Sequence, residues 1–148
     1  NSAGGRYDNS SMGEANLTAQ DPRTAALAWR AAKVLDDGKA AEITLLDVAG
    51  VSAFADYFVI ATGQSETHMK ALAGQVREAL AAEGLRIGHA EGRSSKTWIL
   101  LDFDSVIVHI FSRRARGYYA LEDLWGDAKA IPWSGMDPPG EVEKPPWR

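Results

Sequence analysis

The chain has 148 residues, 45% of them hydrophobic and 24% charged, the size and balance of one globular domain with a real core. It has no cysteine, which excludes a disulfide framework, a thiolate metal site and a cysteine nucleophile together. Its net charge of −4 argues against a broad basic stripe gripping RNA or DNA, and makes a basic protein the better contact.

Residues 1–20 are rich in Gly, Ser and Asn without apolar period, and are expected to be a disordered leader or expression remnant, with Met12 as the natural start. A folded domain is expected over 21–126 and a proline-rich tail over 127–148. No apolar run approaches the roughly 18 residues of a membrane span, so a cytoplasmic chain with no membrane contact is expected.

Asp21-Pro22 reads as a helix cap followed by proline at the first helical position, and Leu27, Ala31, Val34 and Leu35 then recur at helical spacing up to Asp37-Gly38. Residues 43–48 and 56–61 are β-branched and aromatic runs of strand length, the second of them buried. At Thr62-Gly63-Gln64-Ser65 the strand turns, and Ser65 caps a helix whose Met69, Leu72, Val76 and Leu80 share a face until Gly84.

Strand, helix and strand across 56–90 predict a right-handed parallel crossover, while turns at Glu91-Gly92-Arg93-Ser94 and Asp104-Ser105 predict two antiparallel hairpins. Residues 98–103 and 106–111 supply the last strands. The expectation is therefore an α/β fold, a five-stranded mixed sheet flanked by helices. Strand alternation puts Trp98, Leu100 and Asp102 on one face, opposite Ile99, Leu101 and Phe103. Residues 116–125 have helical spacing, with Leu121, Leu124 and Trp125 able to meet. Beside that start, Arg113, Arg114 and Arg116 read as a solvated face. From Gly126 onward, Pro132, Pro138, Pro139, Pro145 and Pro146 leave loop, which Trp133 and Trp147 are able to dock.

Chemistry is sparse. His68, His89 and His109 lack partners at metal-ligand spacing, so no metal is expected, and His109 reads as a hydrogen-bonded sheet histidine. Gly63-Gln64-Ser65 at a strand-to-helix turn is the kind of place where backbone donors hold an anion, a role it has in nucleotidyltransferases. Those enzymes also need paired carboxylates on the following strand, and residues 85–90 contain none. Asp102 and Asp104 read as a turn-forming pair. Neither a Gly-x-Ser-x-Gly elbow nor a phosphate loop is present. What remains is a late group of aromatic and acidic residues, some of which a small domain must leave exposed as interface anchors.

The segments Asp56-Tyr57-Phe58-Val59-Ile60-Ala61-Thr62-Gly63-Gln64-Ser65, Glu91-Gly92, Trp98-Ile99-Leu100-Leu101-Asp102, Val106-Ile107-Val108-His109-Ile110-Phe111 and Tyr118-Tyr119-Ala120-Leu121-Glu122-Asp123-Leu124-Trp125 occur in that order. Over about 24–125 the chain thereby resembles the ribosomal silencing factors, or Iojap-like proteins. The resemblance implies a nucleotidyltransferase-like core without catalytic carboxylates, no enzyme activity and no cofactor. It implies binding to the large ribosomal subunit through the protein conventionally numbered fourteen, exclusion of the small subunit, lowered translation when nutrients are scarce, and a role in large-subunit assembly. A homodimer when free is implied too. Carried onto this chain, the binding face comprises Trp98, Leu100, Asp102, His109, Phe111, Tyr119, Leu121 and Leu124. Two other readings stay open: a phosphoryl or nucleotidyl transferase built on Gly63, Ser65, Asp102 and Asp104, and a dimerisation module without ribosome contact.

Overall fold

Proline at the first helical position gives up no intrahelical hydrogen bond, and Pro22 opens helix α1, Pro22–Asp37. The structure, a computed structural model, describes residues 22–85, 89–91, 96–119 and 128–134, with only the backbone described at 89–91 and 117–119. Leu27, Ala28, Ala31, Ala32 and Leu35 form the buried stripe of α1, so an alanine-rich sequence that already favours helix is further held by its buried face. Strands β1 (Ala41–Asp47) and β2 (Tyr57–Gly63) follow, then helix α2 (Glu66–Ala82) and strands β3 (His89–Glu91), β4 (Trp98–Asp102) and β5 (Val106–Ser112). Helix α3 (Arg113–Tyr119) begins where β5 ends, and a short strand β6 (Lys129–Ala130) comes last.

The sheet order is β3-β4-β5-β2-β1-β6. β2 and β5 are parallel, from Tyr57 opposite Val106 to Gly63 opposite Ser112, and the other pairs are antiparallel. The expected mixed α/β sheet is present, with two refinements. Its β2–α2–β3 crossover does join strands of the same direction, but β3 lies at the far edge and β5 takes the place beside β2. β2 is buried along its whole length, and such a strand requires a neighbour on each side; the seven-residue β5 spans it where three-residue β3 would not.

The second refinement is β6, which pairs Ala130 with Leu46 and Lys129 with Asp47. The reading of 127–148 as loop is therefore corrected at its start. Pro132 lies just beyond the strand, and Trp133 fastens the segment by donating its indole N–H to Ile43 O at 3.4 Å, while Trp29 donates to Trp133 O at 3.2 Å. Trp147 lies outside the described residues.

Strand alternation divides the sheet into two faces. One carries Leu45, Val59, Ala61, Ile99, Leu101, Val108 and Ile110 and forms a single core with α1 and α2, whose Met69, Leu72, Val76 and Leu80 are all buried. Thr44, Leu46, Phe58, Ile60, Thr62, Trp98, Leu100, Asp102, Ile107, His109 and Phe111 point the other way. α3 shields part of that second face through Ala115, which joins a smaller cluster with Leu46, Val48, Ala55, Phe58, Ile60 and Phe111.

Candidate protein-docking face

On the second face β4 and β5 place Trp98 opposite Phe111, Leu100 opposite His109 and Asp102 opposite Ile107. The aromatic rings meet: Trp98 stacks on Phe111 at 5.4 Å and on His109 at 5.9 Å, and Phe58 meets His109 edge-on at 4.9 Å. Trp98 Nε1 donates to His109 Nδ1 at 3.2 Å. That bond requires a bare Nδ1, and burial pushes His109 down to about 4 from 6.5, so it is neutral near pH 7 with its hydrogen on Nε2. Among the described residues the buried Nε2 has no hydrogen-bond partner. An indole held by both stacking and a hydrogen bond loses little freedom when a partner covers it.

The expected contact residues separate into layers. Trp98, Leu100 and Asp102 are partly exposed and Ile107 joins them, whereas His109 and Phe111 are buried beneath. The last two therefore support the outer residues and do not themselves present surface. The side chain of Tyr119, with Leu121 and Leu124, lies outside the described residues. Asp102 does form the expected turn, its Oδ1 accepting from Asp104 N at 2.8 Å, with Asp104 in the left-handed region at φ 76°.

The residues of the transferase reading are kept apart. Gly63 ends β2, whereas Asp102 lies level with Phe58 across Ile107 near the strand's beginning, about 19 Å away in the plane of the sheet. The turn after β2 also has local uses for its groups. A Cβ on Gly63 would fall 2.6 Å from Met69 Cγ, so glycine is needed for α2 to approach. Ser65 Oγ accepts from His68 N at 3.0 Å, and Gln64 N donates to His68 Nδ1 at 2.9 Å. His68 Nε2 then donates to Gly38 O at 2.7 Å. Gln64 N and His68 N, two donors that an anion at this turn would use, are thus engaged inside the protein. The strand expected at 85–90 is observed at His89–Glu91, so it includes Glu91 but no carboxylate pair.

The solvated reading of the arginines holds for Arg113 and Arg114 and is corrected for Arg116, which is buried. Its guanidinium donates to Thr62 Oγ1 and Thr44 Oγ1, each at 3.1 Å, and Thr62 Oγ1 in turn donates to Glu42 Oε1 at 3.0 Å. β1 reaches this geometry through a register shift between Ala41 and Thr44, with Glu42 at φ 50°. α3 begins directly after β5, three residues before the expected helical stretch, and that early start turns Arg116 inward. Sequence reasoning also passed over Phe54, which is 84% exposed; an aromatic among the small residues of 48–56 was the available signal.

Among the described residues no helix is long and apolar enough to cross a membrane, and no cluster of His, Asp and Glu is arranged to hold a metal ion. A family model described as "Ribosomal silencing factor during starvation" matches residues 21–146. The chain is 37% identical over 106 residues to the ribosomal silencing factor of Halalkalibacterium halodurans, covering 72% of this chain and 91% of the relative. It is 40% identical over 98 residues to that of Bacillus subtilis, covering 66% and 83%. A crystal structure of a Chromobacterium violaceum protein superimposes with a TM-score of 0.64 at 30% identity, covering 84% of this chain and 98% of the other.

Proposed function

We propose, from the premise that the chain belongs to the ribosomal silencing factor family, that it binds the large ribosomal subunit on its intersubunit side and blocks joining of the small subunit. The observation that carries this reading is the partly exposed Trp98, backed by His109 and Phe111 and flanked by Leu100, Asp102 and Ile107, on a sheet face that α1 and α2 leave uncovered. A prealigned tryptophan ringed by apolar and acidic groups suits a basic protein partner: the aromatic supplies affinity, and the net charge of −4 supplies encounter rate and orientation.

The partner we assign is the large-subunit protein conventionally numbered fourteen. An interface of about 800 Å² on each side suffices, because the factor acts by occupying space between two bodies that must touch. No bond is made or broken and no cofactor is called for. Translation falls as joining fails, and the same occupancy on an unfinished large subunit serves its assembly. In the free protein a second copy covers the Trp98 face until the ribosome competes for it, and the cytoplasm is where these partners meet.

Cosedimentation with isolated large subunits, followed by addition of small subunits, tests the reading. Wild type is expected to pellet and to prevent joining, while Trp98→Ala and Leu100→Glu bind about 30-fold more weakly or worse. Failure of wild type to pellet overturns it. If Trp98→Ala breaks a dimer and leaves ribosome binding untouched, the dimerisation module takes its place.

A further inference from the structure

Phe54 is 84% exposed and Val51 38% exposed, and both lie in the segment joining β1 to β2. That segment is ordered by its own hydrogen bonds. Val51 N and Ser52 N both donate to Val48 O, at 3.0 and 2.7 Å. Ser52 Oγ accepts from Phe54 N at 3.1 Å and from Ala55 N at 3.3 Å, and Asp47 Oδ1 accepts from Ala49 N at 3.1 Å. On either side of the tip, Val48 and Ala55 are buried with Phe58 and Phe111, in the cluster that Trp98 and Ile107 pack against. The shoulders are thus anchored in the floor of the Trp98 face while the Phe54 ring stands in water. A ring so placed adds nothing to the core, whereas an aromatic side chain held on an ordered support has the form of an interface anchor.

The surroundings are acidic. Asp47 is the register partner of Tyr57, Asp102 lies opposite Ile107, and Asp104 is in the β4–β5 turn, whose Ser105 O accepts from Asp56 N and Tyr57 N at 2.8 and 3.1 Å. Asp47, Asp102 and Asp104 therefore share one end of the sheet with Phe54, and Lys129, opposite Asp47, is a basic residue there. Phosphate would be repelled by this arrangement, whereas a cationic protein surface is attracted to it.

We infer that Phe54 is a second docking point, the tip of an apolar knob that enters a pocket rimmed by lysine or arginine on a protein of the large ribosomal subunit. This rests on the docking reading above and extends it from the Trp98 face to the acidic end of the sheet. Contact at two separated points fixes the factor's orientation, which a single tryptophan anchor does not.

The test is cosedimentation of wild type, Phe54→Ser and Asp104→Asn with isolated large subunits, with thermal unfolding and light scattering on each protein. Phe54→Ser is expected to weaken binding about tenfold at an unchanged unfolding midpoint, and Asp104→Asn about twofold to threefold. Wild-type binding matched by Phe54→Ser overturns the second docking point and leaves the Trp98 reading standing; absence of wild-type binding removes both. A change in dimer mass without a change in subunit binding overturns it in favour of a contact between copies. Tighter binding by Asp104→Asn overturns the basic protein as occupant and points to phosphate.

Discussion

The two faces of the sheet are drawn from the same strands, yet they divide the molecule's tasks. Toward α1 and α2 the strands turn Ile99, Leu101, Val108, Ile110, Val59 and Ala61, all fully buried and aliphatic. Away from them they turn Trp98, Leu100, Asp102, Ile107, His109 and Phe111, a mixture of aromatic, titratable and acidic groups that is buried below and open above. In β4 the division runs between adjacent residues, because alternation places Ile99 in the core and Trp98 at the surface. Stability and docking can therefore be altered separately by changes one residue apart.

The largest expected effect uses that adjacency. Ile99→Ala should cost about 2–5 kcal/mol of stability by opening a cavity against the helices, measured by urea unfolding, with ribosome binding retained by the folded fraction. Trp98→Ala should reverse the pattern, with most of its loss in binding. If both variants lose stability and binding in the same proportion, the separation of the faces is wrong.

That separation was legible in the sequence where local rules decide it: the alternation over 98–103, the buried run at 56–61, the Ser65 cap and the α2 stripe. It was not legible where distant segments decide. Arg116 looked solvated because its burial depends on Thr62 and Thr44, which precede it by 54 and 72 residues. β6 is two residues long beside a proline, with no pattern of its own, and exists because the β1 edge is available at Leu46 and Asp47. Trp98, expected on the contact face, is partly exposed, but His109 and Phe111 share its face without sharing its exposure, a difference of packing depth that alternation does not encode.

Acidification should expose the second contrast between the faces, since the open face holds a buried titratable group. Burial holds His109 at about 4 against 6.5, so below pH 6.5 the unfolded chain takes up a proton that the folded chain refuses. The stabilising contribution is whole above about pH 6.5, falls as pH drops toward 4 and levels off below it, about 3 kcal/mol across that range. Between about pH 7.5 and pH 4 wild type should lose about that much unfolding free energy relative to His109→Phe, and parallel curves would remove the contrast. Protonation also places a hydrogen on Nδ1 facing the Trp98 N–H, so tryptophan fluorescence should shift over the lower part of the window.

A smaller effect belongs to the joint between β2 and α2. Gly63→Ala should cost about 1–3 kcal/mol, because the new methyl meets Met69 and α2 must shift away from the covered face. Denaturant unfolding reads the loss, and a neutral result would mean that α2 is seated more loosely than the buried Met69 and Leu72 indicate.

Ser65→Ala should have the smallest effect and draws the sharpest line between scaffold and docking surface. Ser65 is extended at φ −153° and its hydroxyl accepts from His68 N, so losing it should cost about 1 kcal/mol, the usual effect of removing a helix cap. If the turn is only the start of the helix that covers one face, the loss should appear in thermal unfolding and nowhere else. Binding to the large subunit should stay at the wild-type level, since the helix that Ser65 caps packs on the sheet face opposite Trp98 and Leu100, and Phe54, Asp102 and Asp104 lie at the far end of the strands. A turn that instead held an anion would lose a ligand group with the serine. Inorganic phosphate would then raise the unfolding midpoint of wild type and fail to raise that of the variant, and the local bonds of Gln64, Ser65 and His68 would no longer account for the turn.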